Sequence, residues 1–246
     1  MIPEAKKDII SRLQKDILLR EGYKHQPADV KGIAGLGPVE AAFPGRAFPT
    51  GAIHEFLNFE PEHGAASGGF IAGLLSVLMA QGGACLWIST ARKVFPTALS
   101  IFGVAPERII FISVQREKEV LWVMEEALKC KGLAGVIAEV RELTFTQSRR
   151  LQLAVETSMV TGFVLRTDIR RLCTTACVAR WQIKPVPSRL EAGMPGVGFP
   201  RWEVELLRVR NGKPGRWTVE WSGQQFQLIT EKIITVTIPE QVRKVG

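Results

Sequence analysis

The sequence has few of the side chains from which metal sites and disulfides are built. Its 246 residues include four cysteines and three histidines. Cys173 and Cys177 are the one close cysteine pair, and no histidine lies near them in sequence. A structural zinc site needs clustered cysteine or histidine ligands, and disulfides are rare in reducing compartments. We therefore expect reduced thiols and no bound metal.

Long apolar runs are also missing. The longest, Phe70 to Met79, contains Gly73 and Ser76 and falls short of the roughly 18 residues that a membrane-spanning helix requires. The N-terminal stretch mixes charges of both signs and has no apolar core, so it lacks the pattern of a signal peptide. These absences predict a cytoplasmic protein without a membrane partner.

The first part of the chain has no excess of positive charge. Residues 1–139 hold 15 lysines and arginines against 15 acidic residues, whereas residues 140–246 hold 17 against 9. The whole formal net charge of +8 therefore arises in the C-terminal part. Such asymmetry is typical of a surface for nucleic acid or an acidic partner. Because moderate net charge also keeps a small domain soluble, charge alone leaves both interpretations open.

From Ala52 onward the chain alternates short apolar strands with helical segments. Strands are predicted at residues 52–59, 84–89, 109–114, 134–140 and 161–166, and helices at 66–81, 95–102, 117–130 and 144–158. This alternation is typical of βαβ units. It predicts an α/β fold with a mostly parallel sheet flanked by helices.

Beyond Thr174 the pattern changes to alternating apolar and polar residues without intervening helices, at 176–183, 201–210, 215–221 and 225–230. These segments predict antiparallel C-terminal strands that extend the sheet. We expect an N-terminal amphipathic helix arm at residues 1–24, one domain at residues 25–238 and a flexible tail at residues 239–246.

The segment after the first strand lacks the residues of a working phosphate-binding loop (P-loop). A P-loop reads G-x-x-x-x-G-K-S/T, and its lysine neutralises phosphate charge. Gly64 and Gly69 have about that spacing, but neither the lysine nor the following Ser/Thr is present. Carboxylates stand where phosphates would approach. We interpret the segment as a degenerate P-loop, with its candidate positions at Glu60, Glu62, Gly64, Ser67, Gly68 and Gly69.

The residues that would carry out hydrolysis are missing too. Ala91 follows the second strand, where an acidic residue would orient the attacking water. The fourth strand offers Glu139 in place of the aspartate that would hold Mg²⁺. The sequence therefore predicts a protein that is not an enzyme, with no catalytic residue and no cofactor. Nucleotide binding without hydrolysis stays open, because helix N-termini attract anions.

Several segments together resemble a known family. The similarity is carried by residues 35–37, 48–51, 53–56, 83–88, 133–140, 174–181 and 208–215, and by Ala41–Pro44 and Phe199–Trp202. In their order and spacing these resemble the ImuA family, in the form found in Bacteroidetes. That family comprises RecA-like, SulA-related accessory proteins of bacterial translesion synthesis.

The resemblance implies a RecA-like fold and a non-catalytic role in SOS-induced, error-prone DNA synthesis. The implied partners are an ImuB-like homologue of Y-family polymerases, an error-prone C-family DNA polymerase and RecA. The alternatives are a SulA-like cell-division inhibitor that binds FtsZ, a DNA-binding module and an atypical ATPase related to RecA.

The excess arginines and lysines define a candidate face for a protein partner or DNA. Its members are Arg149, Arg150, Arg166, Arg170, Arg171, Arg180, Lys184, Arg208, Arg210, Lys213 and Arg216. Salt-dependent phosphate contacts would be typical of a DNA face. The alternative is that these are ordinary surface residues, some of them paired with Glu203, Glu205 and Glu220 across strands.

Overall fold

The computed structural model describes residues 36–91, 94–169, 171–188 and 196–229, together with Ile9 and Leu13. Ile9 and Leu13 are helical and exposed. The rest of the predicted arm at residues 1–24, the predicted tail at residues 239–246 and Arg170 lie outside the described residues. The proposed domain boundaries remain predictions.

Nine strands form one sheet within the described part of the chain. The spatial order is β3-β2-β4-β5-β1-β6-β7-β8-β9. Along this order, each pair of neighbouring strands from β3 to β6 is parallel. Each pair from β6 to β9 is antiparallel. The strands are β1 Ile53–Leu57, β2 Ala84–Ser89, β3 Ile109–Ser113, β4 Leu133–Val140, β5 Thr161–Arg166, β6 Ala179–Pro185, β7 Arg201–Val209, β8 Gly215–Ser222 and β9 Gln225–Leu228. This confirms the predicted mostly parallel α/β sheet with an antiparallel extension.

Three α-helices cover the sheet in the described residues: α1 Pro61–Leu78, α2 Glu117–Leu128 and α3 Phe145–Ser158. The helix predicted at 95–102 is a 3₁₀ helix, Pro96–Phe102. Thr144 caps α3, since its hydroxyl accepts a hydrogen bond from the backbone N–H of Gln147. The first helix begins five residues earlier than the apolar pattern indicates, because its N-terminal turns consist of polar and small residues.

Helix α1 packs on one face of the sheet against an aromatic layer. Phe70 of α1 contacts Trp181 on β6, Trp202 on β7 and Phe226 on β9. The region Pro61–Gln81 meets the length and hydropathy of a membrane-crossing helix, but 67% of that apolar window is buried inside the fold. The apolar character of α1 is therefore explained by its place in the core.

Helices α2 and α3 pack on the opposite face over an aliphatic core. Val120 and Met124 of α2 and Leu151 and Val155 of α3 are buried there against β1, β4 and β5. Strands β1 and β5 are buried along their whole length. Burial on both faces explains why a parallel strand such as β5 is a nearly continuous apolar run rather than an alternating one.

The antiparallel strands place one face on α1 and leave the other open to solvent. Trp181, Trp202 and Trp221 are buried in the aromatic layer, where they pack in the core. The β7–β8 turn includes Asn211 at φ 57°, a left-handed conformation that asparagine tolerates well.

His54 is a fully buried, neutral histidine at the centre of β1. Its ring stacks on Phe48, with centroids 4.4 Å apart. The Trp181 indole N–H donates to Nδ1 over 3.3 Å, and Nε2 donates to the carbonyl of Pro49 over 2.7 Å. Because an indole only donates and a carbonyl only accepts, these contacts select the Nε2–H tautomer. Burial lowers the pKa of His54 to about 4.

We expect acid to destabilise the fold through His54. Its pKa of about 4 lies below the ordinary 6.5, so between these values the unfolded chain binds a proton that the folded chain does not. The free energy of unfolding should therefore fall by roughly 3 kcal/mol as the pH drops from 6.5 to 4. Urea unfolding of the wild type and of His54→Gln, measured across this range, isolates the effect. The variant should be less stable at pH 7 and have a shallower pH dependence; parallel curves would contradict this assignment.

Candidate functional site

The carboxyl ends of β1, β4 and β5 border a surface cavity of about 570 Å³. Ligands of open α/β sheets bind at this edge. The walls carry the amide of Asn58, the carboxylates of Glu139 and Asp168, and the rings of Phe59 and Trp87. These groups decide whether a nucleotide could be held here.

Strand β1 passes into α1 without an intervening phosphate-binding loop. Only Asn58, Phe59 and Glu60 lie between the two elements. A P-loop directs several backbone N–H groups at phosphates from outside the helix, whereas most N–H groups of a helical segment bond to its own carbonyls. The prediction that this segment forms a loop is therefore wrong. Glu60 is the N-cap residue of α1, and the other predicted positions lie within that helix: Glu62, Gly64, Ser67, Gly68 and Gly69.

Gly69 allows α1 to pack closely against neighbouring aromatic rings. A Cβ atom on Gly69 would lie 2.9 Å from Cζ of Phe102 and 3.2 Å from Cζ2 of Trp202, so a larger residue there would require these rings to shift. At Gly64 the same atom would meet nothing within 4 Å. Phe70, which stands where a P-loop has its lysine, is buried with its ring centroid 5.0 Å from that of Phe226.

Acidic side chains occupy the N-terminal end of α1. Glu60 at the N-cap forms a capping box with His63, and Glu62 lies in the first turn. The positive end of the helix dipole is therefore already complemented by carboxylates of the chain itself. This arrangement agrees with the predicted repulsion of phosphates.

Glu139, the candidate metal ligand, takes part in a contact between side chains. Its Oε1 accepts a hydrogen bond of 2.7 Å from the indole N–H of buried Trp87. At the end of β2, the hydroxyl of Ser89 donates to the carbonyl of Ala91. Within the described ranges, no group of three or more potential metal-binding side chains comes together.

A buried charge network is centred on Glu55 of β1. Its Oε1 accepts from Arg166 over 3.1 Å, and its Oε2 accepts from Arg180 over 2.8 Å and from the hydroxyl of Thr175 over 2.7 Å. Glu55 and Arg166 are almost completely buried. A buried carboxylate is tolerated when both oxygens are paired in this way.

The same arginines hold the chain that follows β5. Arg166 donates to the carbonyls of Arg141 and Arg171, at 3.2 and 3.1 Å, and Arg180 donates to that of Cys173 at 2.6 Å. Arg166 is therefore inside the fold rather than on the predicted partner face, and Arg180 is largely committed to Glu55. Nothing in the sequence pattern distinguishes these two arginines from exposed ones.

The exposed face of β6–β8 is balanced in charge. Lys184 lies 3.2 Å from Glu203, and Arg216 lies 3.0 Å from Glu205 and 3.7 Å from Glu203. The neighbouring glutamates raise the pKa of Arg216. These are the cross-strand pairs that the alternative interpretation predicted. The predicted face thus loses much of its net charge along these strands.

The remaining arginines and lysine of the predicted face lie in different places. Arg150 pairs with Glu125 at 2.6 Å. Arg149, Arg208 and Arg210 line a second cavity of about 470 Å³, where Arg208 donates to carbonyls of Thr175 and Cys177 and Arg210 to that of Ala176. Arg171 and Lys213 are exposed. The structure therefore divides the predicted face into separate groups.

Over 198 residues the chain is 34% identical to Protein ImuA of Caulobacter vibrioides, strain NA1000, an alignment that spans 76% of this chain and 81% of that protein. Protein ImuA of the strain ATCC 19089 matches to the same extent. The chain belongs to the ImuA family. A scan against models of known protein families found no match.

The fold of this ImuA-family chain is similar to that of the RadB recombinase. The superposition has a TM-score of 0.55 and 14% sequence identity, and it covers 80% of this chain and 99% of the recombinase. At that identity the likeness concerns the fold alone. It confirms the RecA-like α/β architecture implied by the resemblance.

Two features of the site could not be found by sequence reasoning. Asn58 and Ser67 form a buried pair, in which the serine hydroxyl donates to Oδ1 of the amide over 2.6 Å. The local sequence does not distinguish Glu55 from any other acidic residue in a predicted strand. Each acquires its role only through residues brought close by folding, since Arg166 is 111 positions away from Glu55.

We expect alanine at Gly64 and at Gly69 to have opposite effects. Gly64→Ala should stabilise the ImuA-family chain by about 0.5–1 kcal/mol, because alanine favours a helix and the added methyl meets open space. Gly69→Ala should destabilise it by about 1–3 kcal/mol through contact with Phe102 and Trp202. Urea unfolding at neutral pH measures both. A loss of stability in Gly64→Ala would mean that its backbone is not helical.

We expect removal of the Glu55 charge to be strongly destabilising. Glu55→Gln leaves Arg166 and Arg180 without their buried counter-ion, which should cost about 3–5 kcal/mol. The matched control is Glu203→Gln on the open sheet face, where the expected loss is under about 1 kcal/mol. Thermal and urea unfolding compare the two variants. Equal losses of stability in the two variants would contradict a larger contribution from the buried Glu55 network than from the exposed Glu203 pairs.

Proposed function

We propose that this ImuA-family chain is a non-catalytic adaptor of SOS-induced, error-prone translesion DNA synthesis. In this role it assembles an ImuB-like homologue of Y-family polymerases with an error-prone C-family polymerase in the cytoplasm, and it contacts RecA. Membership of the ImuA family supports the biological setting. The chemistry of the cavity supports a binding role over a catalytic one.

The observation that carries this proposal is the position of Phe70. A RecA-like motor has a lysine at the equivalent position, where its charge contacts the phosphates. In this chain that position is Phe70, whose aromatic ring is buried in the core. The N-terminus of α1 carries Glu60 and Glu62. Loss of the loop, of the lysine and of the water-orienting acid argues against phosphoryl transfer.

The distribution of charge favours protein partners over DNA. Phosphate binding needs several arginines or lysines free to contact a backbone. Arg166 is buried, Arg180 pairs with Glu55, and Lys184 and Arg216 are paired with glutamates on the open face. We therefore assign the adaptor role to contacts between proteins.

We expect the chain to form a complex with the ImuB-like protein encoded in the same genome. Co-expression and size-exclusion chromatography should give co-elution, and titration should give a dissociation constant in the micromolar range or tighter. No complex at micromolar concentrations would contradict the adaptor role. Inhibition of FtsZ polymerisation, together with no polymerase complex, would instead support the division-inhibitor alternative.

The same preparation tests the absence of catalysis. Incubation with labelled ATP and Mg²⁺ should release no more phosphate than a buffer blank. Glu139→Ala is the informative variant, because Glu139 lines the cavity near the end of β4, where a RecA-like motor would have its metal-binding aspartate. Turnover in the wild type that disappears in Glu139→Ala would overturn the proposal.

A further inference from the structure

The cavity of about 470 Å³ at the start of α3 is lined by positive charge. Its walls come from the first turns of α3, from residues 174–176 and from the end of β7 with the turn that follows. Among the described residues that line it, three are arginines and none is acidic: Arg149, Arg208 and Arg210. We call it the arginine cavity. A concave surface with charge of one sign concentrates ions of the opposite sign.

Arg208 is held in place from inside the fold. Its Nη2 donates to the carbonyls of Thr175 and Cys177, over 2.6 and 3.0 Å. A carbonyl carries no net charge, so these bonds orient the guanidinium without neutralising it. In the described part of the chain, no carboxylate pairs with Arg208, and its Nε and Nη1 make no hydrogen bond. A donor positioned beforehand loses little side-chain freedom when it binds an anion.

Arg149 supplies a second guanidinium from the surface of α3. Its side chain is 49% exposed, and its one ion pair among the described residues is with Glu156, whose Oε1 lies 3.9 Å from Nη1. A contact of that length between exposed side chains contributes little, so Arg149 can exchange it for another carboxylate at small cost. Arg210 adds charge to the wall but is already bonded, in part to the carbonyl of Ala176. The donors for a ligand are therefore those of Arg149 and Arg208.

An apolar side chain stands beside these donors. Phe145 lines the cavity at the start of α3 and is 55% exposed. It precedes Arg149 by one helical turn, so the ring and the guanidinium lie on the same face of the helix. Leu153, one turn further along, is 49% exposed. The helix therefore presents an apolar, a basic and an apolar side chain in a row, with the arginine cavity at one end.

The surroundings favour a carboxylate of a protein segment over the phosphates of DNA. A nucleic acid needs a track of several basic side chains that are available to its backbone. On α3 and on the open sheet face, basic residues are instead paired with glutamates, Arg150 with Glu125 at 2.6 Å and Arg216 with Glu205 at 3.0 Å. The arginine cavity thus lies between surfaces of compensated charge and beside an aromatic ring. This arrangement suits an acidic residue with an apolar neighbour.

We propose that the arginine cavity binds an acidic segment of a protein partner, in which an aspartate or glutamate lies close to a large apolar residue. The carboxylate accepts from Arg149 and Arg208, and the apolar side chain packs on Phe145. Hydrogen bonds between a guanidinium and a carboxylate are among the strongest in proteins. The inference rests on the proposed adaptor function for the existence of a partner, whereas the sign and class of the bound group follow from the cavity itself.

The test uses random dodecapeptides displayed on phage and selected on the full-length protein. Enriched sequences should combine aspartate or glutamate with a nearby aromatic or aliphatic residue. A labelled synthetic copy of the most enriched peptide is then titrated against the protein by fluorescence anisotropy. Its affinity should fall as the NaCl concentration is raised, because salt screens the attraction between charges. A copy with amides in place of its carboxylates should bind about tenfold more weakly.

Two adjacent arginines of α3 provide a matched pair of variants. Arg149→Gln removes a donor of the cavity and should weaken the peptide about tenfold. Arg150→Gln removes the same charge from a side chain that is 61% exposed and does not line the cavity, so affinity should change less than about twofold. Phe145→Ser should also weaken the peptide, through the apolar contact. Circular dichroism checks that each variant is folded.

A labelled 12-nucleotide oligothymidine is titrated in parallel to separate DNA from protein as the ligand. Tighter binding of this oligonucleotide than of any selected peptide, with loss of that binding in Arg149→Gln, would overturn the inference in favour of a DNA site. Enrichment of basic peptides, enrichment of no sequence class, or equal binding of the selected peptide by wild type and Arg149→Gln would overturn it as well.

The complex with the ImuB-like protein is measured with the same variants. If that complex forms equally in all of them and no acidic peptide is enriched, the adaptor function stands and the assignment of the arginine cavity fails. If acidic peptides bind in a manner that depends on Arg149 but no such complex forms, the arginine cavity stands and the adaptor function fails.

Discussion

The close packing of α1 on the aromatic layer determines the character of the whole cavity side of the sheet. Phe70 is held between rings of β6, β7 and β9, and Gly69 brings the helix against Phe102 and Trp202. A helix fixed in this way from Pro61 leaves no length of chain to wrap around phosphates. Because dense cores do not rearrange gradually, this packing and the missing lysine together support our proposal that the site does not carry out nucleotide chemistry.

Charge in this ImuA-family chain has a structural role that its total conceals. The basic excess of the C-terminal part suggests a surface for acidic partners, but Arg166 and Arg180 neutralise Glu55 inside the fold. Lys184 and Arg216 balance Glu203 and Glu205 outside it. Local placement, rather than net charge, decides which ligands each surface favours.

Local sequence predicts much of the fold but little of the site. Local apolar composition predicts the strands 84–89 and 161–166, and capping chemistry favours Thr144 as the N-cap of α3. Both signals act over a few neighbouring residues. The start of α1 is missed, because its first turns are polar and the apolar pattern begins only later. The role of Glu55 and the burial of Arg166 depend on a contact between residues 111 positions apart, so no local pattern reveals them.

Strand β1 has a consequence for how the chain folds. Both of its neighbours, β5 and β6, come more than 100 residues later, and the guanidinium groups that neutralise Glu55 lie 111 and 125 positions away. An isolated β1 would have to place a bare carboxylate in an apolar interior, which is unfavourable. Long-range pairing of this kind slows folding. On the ribosome, the centre of the sheet therefore cannot close until β6 has emerged, and the N-terminal third of the chain must wait for the rest.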